Sequence, residues 1–132
     1  MREILFRRFE RDTRELSHHL ASKLMEVSSV WMPAINAFRC EPGFVICVDL
    51  AGVDRGQIKL TVQPRELRIS GRRKAPEPSD DAGPLLKVLA LEIDCGSFER
   101  QLTLPEEVEP EDLEAEQRNG FLWIFLPIRQ RV

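Results

Sequence analysis

From Ala34 to Leu126 the apolar side chains recur at every second position in short runs that Gly and Pro keep interrupting, and a period of two belongs to sheets. Phe44, Ile46, Val48 and Leu50 alternate with Val45, Cys47 and Asp49; Ile58, Leu60 and Val62 alternate with Lys59, Thr61 and Gln63; Leu67 and Ile69 alternate with Arg68 and Ser70. Further strands are expected over 34–40, 85–91, 98–104, 113–117 and 121–126. About eight short strands with polar turns and no helices between them predict an all-β fold, an immunoglobulin-like antiparallel β-sandwich.

Before Pro33 the period changes. Leu5, Phe9, Leu16, Leu20 and Leu24 recur at steps of four and seven, which puts them on one stripe of a helix, while Arg7, Arg8, Arg11, Arg14 and Glu15 fill other faces. Residues 1–30 therefore predict an amphipathic helical arm, and Pro33 discourages its continuation beyond Val30–Trp31. A lone helix cannot bury such a stripe, so the arm must dock on something. The connection from Arg73 to Pro84, with KAPEPSDDAG at its centre, predicts a mobile loop.

Composition narrows the functions open to this chain. A length of 132 residues with 42% hydrophobic content suits one core rather than two. A net charge of −3 supplies no basic field for nucleic acid or an anionic membrane, and neither partner is expected. Cys40, Cys47 and Cys95 form an odd set without C-x-x-C spacing, which points away from a disulfide framework and towards the reducing cytoplasm. Charge interrupts the N-terminus too often for a secretory signal, and no apolar run approaches the roughly 20 residues that span a bilayer.

Catalysis has little to work with. His18 and His19 are neighbours that point about 100° apart on a helix, so they do not converge as an i, i+4 pair would. No G-x-x-x-x-G-K-[ST], G-x-G-x-x-G or G-x-S-x-G pattern is present, so no ATP, cofactor or enzymatic turnover is expected. Between Glu106 and Glu116 seven acids stand without a base; Pro110 interrupts them and the central glycine of an EF-hand is missing, so a solvated, aggregation-resistant run is favoured over a cation site.

Arg100 falls on the same strand face as Phe98, Leu102 and Leu104. A guanidinium there either snorkels past a sheet edge or pairs with a carboxylate across a subunit boundary. The segments 85–91 and 121–126 each offer apolar side chains to both faces and must be covered: the second by burial inside a larger sandwich, the first, which follows a long loop, by a second chain.

These residues resemble the alpha-crystallin domain of small heat-shock proteins, over about Trp31 to Pro127. The resemblance is carried by Trp31-Met32-Pro33-Ala34-Ile35-Asn36, Val48-Asp49-Leu50-Ala51-Gly52-Val53, Leu67-Arg68-Ile69-Ser70-Gly71-Arg72, Glu92 to Arg100, Leu104-Pro105 and Ala115 to Leu122. Their order and spacing are more specific than any one piece. It implies a domain over 31–127, preceded by the arm at 1–30 and followed by a tail at 128–132, and a dimer formed by exchange of the strand after the long loop. Leu86, Val88 and Ala90 would then face the partner, and an arginine matching Arg100 lies near that contact. Asn119-Gly120 is expected to close the last hairpin, with glycine at positive φ.

The chain departs from the pattern at Ala51, where D-L-P-G has proline, at Gly120-Phe121-Leu122 for G-V-L, and at Ile128-Arg129-Gln130-Arg131-Val132, which lacks the C-terminal Ile-x-Ile plug of the family. A dimer or small oligomer is therefore expected instead of a large cage. The resemblance implies an ATP-independent holdase whose partners are partly unfolded client proteins and a second copy of itself. Expected client contacts are Leu5, Phe6, Phe9, Leu16 and Leu20 of the arm, with a groove formed by Ile58, Leu60, Val62, Leu113 and Ala115 as a second candidate. The alternative is a dimeric interaction module with one dedicated partner and no general chaperone activity.

Overall fold

The computed structural model describes residues 30–130. Of the described residues, Trp31–Arg73 and those from Ser97 onward form one compact unit, and Lys74–Gly96 falls in a second. Eight strands run in chain order: β1 (Val30–Trp31), β2 (Ile35–Cys40), β3 (Gly43–Asp49), β4 (Ile58–Gln63), β5 (Glu66–Arg73), β6 (Gly96–Thr103), β7 (Glu114–Arg118) and β8 (Phe121–Pro127). They pair into two four-stranded sheets, ordered β1-β6-β5-β4 and β2-β3-β8-β7. The expected all-β sandwich is what forms; the expected helical arm at 1–30 lies outside the described residues except for Val30.

Alternation decides which side chains fill the core. In β3 the inward residues are Phe44, Ile46 and Val48; in β8 they are Leu122, Ile124 and Leu126; in β5 they are Leu67 and Ile69, and all eight are buried. The register sets Ile46 beside Ile124 and Val48 beside Leu122, so the two central strands of one sheet present a continuous apolar row to the other. Gly43 opens β3 where the Leu126 carbonyl oxygen leaves no room for a Cβ. At the last hairpin Asn119 and Gly120 have φ of 52° and 82°, the two positive values of a type I′ turn, and Arg118 pairs directly with Phe121. That expectation holds.

Three expectations need correction. Val30–Trp31 is a strand instead of the end of a helix: Trp31 is buried, and its ring meets that of Phe98 edge to face at 5.4 Å. Aromatic packing there outweighs the local helical spacing. Residues 85–91 form no strand in the single chain, because a strand needs a neighbour to accept and donate its ladder hydrogen bonds. Over 74–95 the only regular element is a 3₁₀ turn at Asp80–Ala82, and Leu86, Leu89 and Ile93 are 61%, 88% and 60% exposed. Finally, β8 is not buried on both faces. Phe121, Trp123 and Phe125 point outward and stay partly exposed.

Candidate functional site

The groove residues come together at one side of the sandwich. β4 is the last strand of one sheet and β7 the last of the other, so each has a backbone edge that no strand among the described residues uses. Two hydrogen bonds bracket the space between them: Gln117 Nε2 donates to the Val53 carbonyl at 2.6 Å, and the Val108 amide donates to the Pro64 carbonyl at 2.8 Å. Along β4, Ile58, Leu60 and Val62 are half-buried against the core while Lys59, Thr61 and Gln63 face water. Opposite them Leu113 is half-buried, and Ala115, on the core side of β7, remains exposed because no described strand lies beyond this edge. Half-buried apolar side chains spaced two apart, beside free backbone edges, suit an extended segment with apolar residues at alternate positions.

Arg100 keeps the face that alternation gave it, between buried Phe98 and half-buried Leu102, and is itself half-buried. Its guanidinium donates to the Pro33 carbonyl oxygen at 2.7 Å, so among the described residues it meets a carbonyl rather than a carboxylate. Leu86 and Ala90 are exposed and Val88 is half-buried. The arm residues Leu5, Phe6, Phe9, Leu16 and Leu20, and His18 and His19, lie outside the described residues.

The acidic run is solvated, as expected, but three of its carboxylates are also paired with arginines. Glu106 is gripped by Arg39 through two hydrogen bonds, Nε to Oε1 at 2.8 Å and Nη2 to Oε2 at 3.1 Å, while Nη1 of the same guanidinium donates to the carbonyls of Cys40 and Glu41. The hydrogen bond to Arg39 holds the Glu106 carboxyl below its ordinary range. Arg129 reaches Glu109 at 3.2 Å and Glu107 at 3.5 Å. These arginines stand 67 and 20 or 22 residues away in sequence, so no local pattern could announce the pairs. Ile128 closes the same region: it forms a bridge with Val108, packs against the core, and its amide donates to the Pro42 carbonyl at 3.1 Å. Charge is compensated there pair by pair, which anchors a loop rather than preparing a reactive group.

Of the three cysteines, all free thiols, Cys40 is exposed while Cys47 and Cys95 are buried. Burial, with a smaller contribution from Asp49, pushes the Cys47 thiol up and away from the reactive thiolate. No helix among the described residues is long and apolar enough to cross a membrane.

Comparison with known proteins matches this arrangement. The Hsp20/alpha crystallin family profile matches residues 37–132. The chain is 30% identical over 135 residues to the 18 kDa heat shock protein of Streptomyces albus G, covering 99% of this chain and 85% of that protein. It is 29% identical over 121 residues to spore protein SP21 of Stigmatella aurantiaca, covering 92% and 69%. Among solved structures, hspA from Xanthomonas axonopodis superposes with a TM-score of 0.63 at 31% identity, over 75% of this chain and 95% of that one. The chain spans between 41% and 69% of the length of the first curated relatives it matches.

Proposed function

The chain belongs to the Hsp20/alpha crystallin family of small heat-shock proteins, and from that membership we propose that it is an ATP-independent holdase, a chaperone that binds partly unfolded proteins and keeps them from aggregating. The observation that supports this most is the groove between the two free edges. Ile58, Leu60, Val62 and Leu113 hold apolar surface half out of water beside backbone edges that no described strand pairs. A site of this kind recognises extended apolar chain in general and no particular side chain, as a client that has lost its fold requires. The arm residues Leu5, Phe6, Phe9, Leu16 and Leu20 supply a second, longer apolar surface. Binding to either needs no nucleotide, and release leaves refolding to other chaperones.

The working unit in this reading is a dimer in which the segment 85–91 of one copy adds as a strand to the other, in the cytoplasm. Leu86, Val88 and Ala90 would line that contact and Arg100 would lie beside it. The test is light scattering of heat-labile enzymes, unrelated to one another, warmed with and without this protein. Aggregation of every client should fall at near-stoichiometric amounts without ATP, and deletion of residues 1–30 should leave a folded dimer that protects poorly. Protection of one client alone would favour a dedicated interaction module; full protection by the truncated chain would move the client site from the arm to the groove.

A further inference from the structure

The β2-β3-β8-β7 sheet has two apolar faces, and only one of them looks into the core. On the outward face the register sets Phe38 beside Val45 and Val45 beside Phe125, with Cys47 beside Trp123 one step along. Every outward residue that β8 contributes from Phe121 to Phe125 is aromatic. Phe38 is 50% and Phe121 42% exposed. The outer face of an antiparallel sheet is ordinarily polar, and a contiguous apolar patch on one marks a docking surface. Its rim is acidic: Glu114 sits beside Phe125, Glu116 beside Trp123 and Asp49 beside Phe121. Against these three carboxylates stands Arg118, whose guanidinium lies 5.6 Å from the Trp123 ring centroid and 3.9 Å from Glu116.

The chain holds an occupant of matching chemistry. Residues 1–29 precede the described part, and Leu5, Phe9, Leu16 and Leu20 have the spacing of one helical stripe. The first 14 residues carry five arginines (Arg2, Arg7, Arg8, Arg11, Arg14) against three acids, opposite in sign to the rim. As a helix, such a segment reaches about 40 Å, the breadth of a small domain. The strand it leads into, β1, belongs to the other sheet. An arm arriving from another copy therefore meets this face without rounding an edge of the sandwich.

We propose that the outward face of the β2-β3-β8-β7 sheet is the docking surface for the N-terminal arm of a second copy of this chain, the stripe lying on Phe38, Val45 and Phe125 and the arginines on Glu114 and Glu116. Such a contact joins strand-exchanged dimers to one another and needs no C-terminal plug. It does not depend on client binding, which the aggregation assay scores separately.

Full-length protein carries its own reporter, because Trp31 is 8% exposed and acrylamide quenching of the two tryptophans therefore reads mainly Trp123. Phe38→Ser/Phe125→Ser should raise that quenching and lower the assembly mass by about half or more, measured by light scattering after size-exclusion chromatography. Glu114→Arg/Glu116→Arg, at exposed positions that leave the core alone, should do the same even if the serine variant folds poorly. Adding Arg11→Glu/Arg14→Glu to the reversed sheet should restore the mass. The proposal is overturned if the charge-reversed protein keeps the parent's mass, or if the parent is already a bare dimer with a freely quenched tryptophan. Raised quenching at constant mass overturns the second-copy assignment and puts each arm on its own sheet.

Discussion

The segments 85–91 and 121–127 carry the same kind of sequence and meet different ends. Both offer apolar side chains to two faces, and as free edges either would invite pairing with another chain. Phe121–Pro127 pairs with β3 on one side and β7 on the other, with Leu122, Ile124 and Leu126 buried. Residues 85–91 have no strand, and Leu89 is 88% exposed. Composition does not separate the two; the supply of neighbours does. A strand is stabilised pair by pair across its edges, so a segment without a strand neighbour among the described residues stays available to another chain.

The largest expected difference follows from burial. Ile124 is 1% exposed, so Ile124→Ala should cost about 3 kcal/mol of unfolding free energy in urea titrations, from lost transfer energy and the cavity left behind. Leu86→Ala, at a side chain 61% exposed and inside the proposed contact, should cost under about 0.5 kcal/mol at dilutions where the protein is monomeric while weakening the proposed dimer. Equal losses in the two variants would break the distinction between the segments.

Arg100 comes next. Arg100→Ala removes a charge-assisted hydrogen bond to Pro33 at a half-buried site, and about 1–2 kcal/mol of stability should go with it, discounted for partial exposure. If Arg100 also lies beside the exchanged strand, dimer dissociation shifts as well. A variant with parental melting and parental dissociation would reject both roles.

The smallest effect tracks the sandwich alone. Because Arg39 depresses the carboxyl pKa of Glu106 in the folded state, the pair contributes stability above the ordinary value of 4.5 and loses it as pH falls through the folded value. Thermal melts of the parent and Glu106→Gln should therefore converge as pH drops from about 6 to about 3, with no change in dimer dissociation at neutral pH. Parallel melting curves across that range would show that the Arg39 contact carries no stability.

Alternation made the sandwich legible: β2 to β5 and β6 to β8 fall where side chains recur every second residue, since one buried face imposes that period. The half-buried face of β4 was legible for the same reason, because Ile58, Leu60 and Val62 alternate with Lys59, Thr61 and Gln63. Trp31 misled because a two-residue strand is too short to show a period, and its place is fixed by contact with Phe98, 67 residues away. The ion pairs of Glu106, Glu107 and Glu109 were not legible because Arg39 and Arg129 are brought to them by the fold, not by spacing. The outward aromatics of β8 show in the sequence as an excess of apolar residues, but which three face away from the core depends on the register with β3.

Hydrogen exchange of the backbone amides, followed as the protein is diluted through its dissociation range, bears most directly on the contrast between the two segments. In the concentrated protein the amides of 85–91 should be protected, and on dilution they should exchange freely while those of Phe121–Pro127 stay slow. Protection over 85–91 that does not change with concentration, or that never appears, would contradict strand exchange as the basis of the dimer.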